Sequence, residues 1–361
     1  MIYINGRFLT QKLSGTQRFA YEVVKELYNY SSVEVTVLVP PVKFILKDYD
    51  TRSFKLKVIG KYKNLLWEQI DLLIYLKLNK NPLLINLINT APVIYKNQII
   101  TIHDMTTFIK PEWFSKLFSQ YYRIILPIIA RNSLKIITVS ENSRSDITKI
   151  LEVPAHKVVV LYNSISEIFY KNKSSSNNLI NKFKIEKNNF ILAVSSLDPR
   201  KNFKRLIKAY YLIDQAMPLV IVGTTGKAFA NDNLKHVVNN INEVIFTGYV
   251  NDEELAELYS FARCFIYPSL YEGFGVPPLE AMACGCSTIV SNGSSLPEVC
   301  GDASLYIDPL SIPSINNALL NLINNENLRK ELVAKGREQV KRYSWKQTTQ
   351  KLLETIEHLY D

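Results

Sequence analysis

A chain of 361 residues, 47% hydrophobic and 21% charged with a formal net charge of +10, is long for one core and comfortable for two domains of ordinary soluble composition. No apolar run approaches the roughly 18 residues of a membrane-spanning helix, and Met1-Ile-Tyr-Ile-Asn5 reads as a strand rather than a signal peptide, so the expected compartment is the cytoplasm. The charge is lopsided: residues 1–167 carry 22 Lys and Arg against 13 Asp and Glu, and the remainder 21 against 20. Such a first half is suited to an anionic membrane or a lipid-pyrophosphate substrate, with a merely solvated basic face as the alternative. Nucleic acid is not the expected partner, because no helix-turn-helix, zinc or aromatic-basic RNA motif accompanies the charge.

The first half alternates strand and helix. Strands are expected at Ile2–Asn5, Val33–Val39, Pro82–Leu87, Ile99–His103, Lys135–Val139 and Val158–Tyr162, and helices at Gly15–Tyr30, Leu65–Leu78 and Phe114–Arg131, the last bent at Pro127. Ser140 is the expected cap of a further helix with Glu141 in its first turn. The polar tract Lys171–Asn178, K-N-K-S-S-S-N-N, has the lowest complexity and marks a linker, assigned to 168–188. Beyond it, strands are expected at Phe190–Ser195, Leu219–Val222, Val244–Phe246, Phe265–Tyr267 and Ser304–Ile307. Helices are expected at Asn202–Asp214, Asp252–Ala262 and Pro277–Cys284, from Ser311, from Glu326 and after Ser344-Trp345. Strands separated by helices make a parallel sheet with helices on both faces. The expected fold is therefore α/β, two Rossmann-like doubly wound domains (1–167 and 189–343) facing across a cleft, with ligands at the carboxyl ends of the strands.

The most informative stretch runs from Cys264 to Pro309. After the strand and Pro268-Ser269, the loop Glu272-Gly273-Phe274-Gly275 feeds a helix opened by Pro277-Pro278, where missing amide hydrogens cost nothing. A glycine loop before a helix start turns backbone N–H groups outward, where an anion or sugar approaches closely. Glu272 and Glu280 bracket the loop eight positions apart, so both can serve one ligand. Asp198-Pro199-Arg200-Lys201-Asn202 places two adjacent cations between a strand and a helix start, a diphosphate site that needs no metal. Ser14-Gly15-Thr16 lies at the first helix start, where glycine lets a phosphate near the backbone, and His103-Asp104 ends a strand. The four cysteines (264, 284, 286, 300) show no metal-ligand spacing and read as small buried residues of a reducing compartment. Two motifs are decoys. Asp48-Tyr-Asp50 sits in a polar loop far from the other motifs, and Gly223-Thr-Thr-Gly-Lys227 has two residues between its glycines where a P-loop has four.

The block E-G-F-G-V-P-P-L-E-A-M-A-C-G, continued by Ser287-Thr288-Ile289-Val290 and Leu296-Pro297-Glu298-Val299, resembles the signature of retaining glycosyltransferases of family 4, which have the GT-B fold. The segment Ile94–Ser143 looks most like bacterial surface-polysaccharide transferases, including mannosyltransferases. The resemblance implies an acceptor-side first domain to which the C-terminal helix 344–361 returns. It implies that the Gly15 loop lies over the donor diphosphate and His103 beside the transferred sugar. Glu272 and the amides of Gly273, Phe274, Gly275 and Val276 would hold sugar hydroxyls, Glu280 the ribose, and the loop with Tyr249 and Val250 the nucleobase. Where many members carry Gly-Arg, this chain has Ser195-Ser196, and Arg200 is expected to substitute. Asn163-Ser164 stands for the family's Asn-Gly before the linker.

The implied reaction is metal-independent transfer, with retention, of a hexose from a GDP- or UDP-linked donor, GDP-mannose favoured. The acceptor is a glycan on a lipid pyrophosphate at the inner face of a bacterial membrane, in surface-polysaccharide or O-antigen synthesis. Rival readings are a catalytically inactive GT-B subunit that binds or regulates a partner, and a sugar-nucleotide epimerase of similar fold. A phosphorylase lacks a pyridoxal-phosphate lysine motif here. The basic and aromatic helix Lys116–Arg131 is a candidate for peripheral contact with anionic lipid, against the alternative that its apolar face packs on the sheet.

Overall fold

The computed structural model describes residues 2–30, 34–171, 178–213, 217–224 and 244–359. The chain divides into two compact units, Met1–Asn163 with Ser344–Asp361, and Ser164–Tyr343. The division falls four residues before the expected boundary at 167. Of the expected linker, Ile168–Lys171 and Asn178–Phe183 are helical and belong to the second unit. Residues 172–177 of the polar tract, Val33, Asp214 and the end of the Gly223–Lys227 motif lie outside the described residues.

In the first unit, β1 (Ile2–Asn5), β2 (Val35–Val39), β3 (Leu56–Val58), β4 (Leu84–Asn86), β5 (Gln98–Thr101), β6 (Lys135–Thr138) and β7 (Val158–Val160) form one sheet in the order β3-β2-β1-β4-β5-β6-β7. Every pairing is parallel. Runs such as Val-Thr-Val-Leu-Val suit strands buried on both faces, which is where a parallel sheet puts them. β3 escapes the sequence because Leu56-Lys57-Val58 is short, half exposed and on the sheet edge. The helix expected over Leu65–Leu78 exists as Asn64–Leu66, a π-helical turn Trp67–Leu72, and Leu73–Leu78. Lys116–Asn132 is one helix that contains Pro127, and Ser140 caps Glu141–Leu151. The last helix, Trp345–Glu357, packs on the first: the Trp345 and Phe19 rings meet at 6.0 Å, and Thr348 Oγ1 donates to the Tyr162 carbonyl at 2.6 Å.

The second unit holds β8 (Ile191–Val194), β9 (Leu219–Val222), β10 (Val244–Gly248), β11 (Cys264–Tyr267), β12 (Thr288–Ser291) and β13 (Ser304–Ile307) in the parallel order β10-β9-β8-β11-β12-β13. The order reverses direction between β8 and β11, the position outside whose carboxyl ends doubly wound sheets bind ligands. Ile191, Ile221 and Ile266 pack with Leu206, Leu319 and Leu322 of the helices Phe203–Tyr210 and Ile312–Asn324 in one core. Cys264, Cys284, Cys286 and Cys300 are free, and all but Cys284 are buried.

The loops at the carboxyl edge approach each other closely. Gly223, after β9, has φ +154, and a Cβ there would stand 1.7 Å from the Ser195 carbonyl oxygen. Backbone cannot yield as a flexible side chain can. Gly223→Ala is therefore expected to lower unfolding stability by about 3 kcal/mol, by overpacking against main chain; urea unfolding of the variant checks this.

Candidate active site

The reversal of strand order brings the loops after β8 and β11 side by side, and with them residues 71 positions apart. Lys201 Nζ donates to Glu272 Oε1 at 2.6 Å and to the Tyr267 hydroxyl at 2.7 Å, while Arg200 Nη1 lies 3.7 Å from Glu272 Oε2. Local chemistry sets these positions. Asp198 caps the 3₁₀ turn Pro199–Lys201 by accepting from the Arg200 amide at 2.9 Å. Asn202 then takes a left-handed conformation, φ 62, which asparagine tolerates better than most residues. Its side-chain amide donates to the carbonyls of Pro268 (3.1 Å) and Pro309 (2.7 Å), and the Leu270 amide donates to the Arg200 carbonyl at 2.8 Å. Three strand-end loops are thereby pinned to one another.

Lys201 and Glu272 are both buried, so neither charge is strongly solvated. Burial pushes the Glu272 carboxyl up, but the Lys201 and Arg200 charges and the hydrogen bond from Lys201 outweigh it and hold the carboxyl at about 2. For Lys201, burial lowers the ammonium pKa, Glu272 opposes the shift, and Arg200 adds to it. We read the pair as ionised, because Glu272 is an anion far below neutral pH and needs its counter-charge. Ser196, where the resemblance led one to look for an arginine, is exposed, whereas the Arg200 guanidinium lies at Glu272. The structure thus brings Arg200, Lys201 and Glu272, which the sequence singled out in separate motifs, into one cluster.

The signature loop is held by two serines that carry no motif signal of their own. Ser294 Oγ accepts from the Glu272 amide at 3.0 Å, and the Ser295 hydroxyl lies 3.0 Å from the Glu272 carbonyl and 2.7 Å from that of Phe274. Gly275 has φ +102, and a Cβ there would meet Leu296 Cδ2 at 2.6 Å. Gly273, Phe274 and Gly275 therefore follow one path into the helix Val276–Ala283. Glu280, one turn in, is buried and accepts from the Tyr259 hydroxyl at 3.1 Å. Each glutamate has its own buried tyrosine. The rings of Tyr259, Phe265 and Tyr267 join them in a line, with centroids 5.3 and 6.0 Å apart. A tyrosine in a strand or helix carries no sequence signal for such a role.

At the end of β10, Gly248 turns with φ +75, Tyr249 stands almost fully exposed, and Val250 is buried. In the first unit, Gly15 begins the helix Gly15–Leu27, and an added Cβ there meets nothing, so packing within the chain does not call for glycine. His103 is buried after β5. Its Nε2 lies 3.2 Å from the Leu87 carbonyl, its ring stands edge-on to Phe19, and burial lowers its pKa to about 4. The imidazole is neutral at pH 7 and donates from Nε2. The decoy Asp50 is taken by Arg52, 2.6 Å away at the surface, and among the described residues no group of three or more His, Cys, Asp and Glu is placed to hold a metal ion.

A cation–carboxylate cluster at the reversal point of a doubly wound sheet, in a chain that carries a second doubly wound unit, is the architecture of GT-B proteins. The model described as Glycosyltransferase Family 4 matches residues 13–167, and that described as Glycosyl transferases group 1 matches residues 175–339. The chain is 34% identical over 259 residues to O-antigen chain mannosyltransferase B of Escherichia coli, covering 70% of this chain and 68% of that one. It is 30% identical over 273 residues to O-antigen chain mannosyltransferase RfbU of Salmonella typhimurium, covering 75% and 73%. It shares its fold with Anabaena Alr3699/HepE, solved in complex with UDP-glucose, at a TM-score of 0.78 and 18% identity over 99% of each chain. The chain belongs to glycosyltransferase family 4, and it is a glycosyltransferase.

The buried imidazole has a measurable consequence. The unfolded chain binds a proton at His103 near pH 6.5 and the folded chain only near 4. The folded state is thus favoured by up to roughly 3 kcal/mol above pH 6.5, and this is lost as pH falls from 6.5 through 4. Urea unfolding between pH 7 and 4 should show that slope in the wild type and a shallower one in His103→Gln.

Proposed function

We propose that the second unit binds a nucleotide-sugar, and that the enzyme transfers its hexose, mannose in preference, to a glycan acceptor carried on a lipid pyrophosphate, as in O-antigen synthesis. The observation that carries this reading is the buried Lys201–Glu272 pair with Arg200 beside it. The two cations face the diphosphate, Glu272 and the amides of Gly273–Val276 face sugar hydroxyls, and Glu280 accepts from the ribose. The exposed Tyr249 ring, with Val250, frames the base. The relatives named as O-antigen mannosyltransferases support mannose and a surface-polysaccharide acceptor, and the UDP-glucose complex of a neighbour supports a nucleotide-sugar donor.

In the reaction the bond between the sugar's anomeric carbon and the β-phosphate oxygen breaks, and the phosphate departs with the bonding pair. The acceptor hydroxyl forms the new bond, and its proton passes to the departing phosphate oxygen. Arg200 and Lys201 stabilise the charge that grows on the leaving oxygen, within a site preorganised by Tyr267 and Asp198. The fixed cations take the part that a metal ion plays elsewhere. In the first unit, open space over Gly15 leaves the helix start accessible to phosphate, and neutral His103 can offer a hydrogen bond without a competing charge. The family resemblance assigns the outcome as retention. The basic first unit approaches the anionic surface that carries the acceptor.

A thermal-shift panel of nucleotide sugars, followed by assays of nucleoside diphosphate release with and without acceptor, tests the proposal. Stabilisation by GDP-mannose and acceptor-dependent GDP release are the expected results. Release without any acceptor dependence, or none, favours an epimerase or an inactive subunit.

Glu280→Ala should keep its fold and weaken donor binding about 30- to 1,000-fold, through the loss of roughly 2–4 kcal/mol of charge-assisted hydrogen bonds; calorimetric titration with donor measures it. Glu272→Ala also strands Lys201 in a buried site, so destabilisation accompanies its loss of activity.

Turnover is expected to survive an excess of EDTA unchanged, because the cations of the site belong to the chain. Strict dependence on added Mn²⁺ or Mg²⁺ would overturn that assignment.

A further inference from the structure

The helical segment between Asn64 and Leu78 has two faces of opposite use. Trp67, Leu72 and Leu76 are buried in the first unit's core. On the outside, Leu66, Ile70, Ile74 and Leu78 recur at every fourth position and are 58%, 38%, 52% and 79% exposed, with Leu65 at 36%. On a regular α-helix of 3.6 residues per turn a four-residue step overshoots, and such a row drifts around the axis. The π-helical turn Trp67–Leu72 is wider, which keeps Leu66, Ile70 and Ile74 closer to one line. Amphipathic helices of soluble proteins normally turn polar residues outward; this one presents aliphatic residues on both faces.

The rim of the stripe is basic. Lys55 is already paired with Glu34 at 2.7 Å, but residues 57–80 carry five further lysines (57, 61, 63, 77 and 80) against two acids. One of these, Glu68, is buried in an ion pair with Arg7 at 3.0 Å. The other, Asp71, accepts from the amides of Lys61 and Tyr62, both at 2.8 Å, and so pins that loop against the helix. Lys57 lies over the Tyr75 ring, 4.9 Å from its centroid. Exposed apolar surface continues beyond the helix. Val93 receives a bond from neighbouring chain on each side, its amide donating to Gln69 Oε1 and its carbonyl accepting from Asn132 Nδ2, both at 2.9 Å. Ile94 beside it is 60% exposed, and Ile124 and Ile128 of the helix Lys116–Asn132 are exposed as well.

We propose that the Leu66-Ile70-Ile74-Leu78 stripe is the surface by which this enzyme docks on an anionic lipid bilayer, its aliphatic side chains entering the headgroup layer and the surrounding lysines meeting lipid phosphates. Two observations select this occupant. A second copy of the chain would set lysine rim against lysine rim, which repels. The apolar residues form a row on a helix, and a bilayer accepts such a row in its plane without a matching shape. Each lysine near an anionic surface adds its own attraction, which salt screens. The inference rests on the proposed membrane contact of the first unit and names the residues that make it.

The test uses the full-length chain and vesicles of equimolar phosphatidylglycerol and phosphatidylcholine. Wild type should co-sediment with them, should not co-sediment with pure phosphatidylcholine, and should be released by salt. The double variant Leu66→Ser/Ile74→Ser should bind about tenfold more weakly or worse, with the wild-type unfolding midpoint and unchanged turnover on a water-soluble acceptor. The tryptophan emission that Ile74→Trp adds to the wild-type spectrum should be quenched by brominated acyl chains. No binding by wild type overturns the membrane contact itself, with transferase activity judged separately on the soluble acceptor. Wild-type binding that the serine variant retains, or added emission from Ile74→Trp that the brominated chains leave unquenched, overturns the assignment to this stripe. A dimer in sedimentation velocity that the serine substitutions dissolve overturns it in favour of a second copy.

Discussion

The structure of the second unit depends on one costly interaction, the burial of Lys201 against Glu272. Removing two charges from water carries a desolvation penalty that mutual attraction repays only when geometry is good and the remaining hydrogen-bonding positions are filled. The site offsets that penalty with the Tyr267 hydroxyl bonded to Lys201, the Arg200 charge 3.7 Å from the far carboxylate oxygen, and the capped turn at Asp198. Apolar residues of the same volume would serve stability at least as well. A buried ion pair at the end of two adjacent strands is therefore better explained by the charge it offers a ligand than by the fold it supports.

That interaction organises its neighbourhood. Lys201 and Glu272 belong to loops after β8 and β11, and they meet only if those loops are fixed. Asn202 ties the first loop to Pro268 and Pro309, and Ser294 and Ser295 tie the second to the loop after β12. Close backbone approach at Gly223 and the left-handed turn at Gly275 serve the same end. The carboxyl edge of this sheet is thus one hydrogen-bonded layer that fixes its charges in place, as the proposed diphosphate site requires.

The first unit spends its polar groups differently. At its own reversal of strand order, between β1 and β4, Asn5, Asn86, Thr90, Arg7 and Glu68 form a buried network, with Asn5 Nδ2 donating to both Glu68 and Asn86 at 2.8 Å. His103 is likewise internal and neutral. The charge that remains outside is basic in excess, residues 1–167 carrying 22 Lys and Arg against 13 Asp and Glu. A basic, partly apolar exterior suits a unit that meets an extended anionic surface, while the proposed diphosphate site lies in the second unit, whose half of the chain is nearly neutral.

The sequence alone determined the alternation of strands and helices, the two doubly wound sheets, and the Glu272–Glu280 block with its cations at Arg200 and Lys201, because buried parallel strands and glycine-loop helix starts leave local signals. Elements without such signals stayed hidden. β3 is three residues long with one apolar run interrupted by Lys57, and Leu296–Cys300 is a short helix inside a motif. Only the tertiary structure decided that Lys201 touches Glu272, that Tyr267 and Tyr259 serve the two sides of the site, and that Ser294 and Ser295 hold the signature loop. Those contacts join residues 21 to 71 positions apart. It also decided which aliphatic residues between Asn64 and Leu78 face outward, since a run of Leu and Ile satisfies a helix pattern on either face. Local sequence records what a segment prefers; pairing across a sheet and the facing of a helix are settled by what the rest of the chain places beside them.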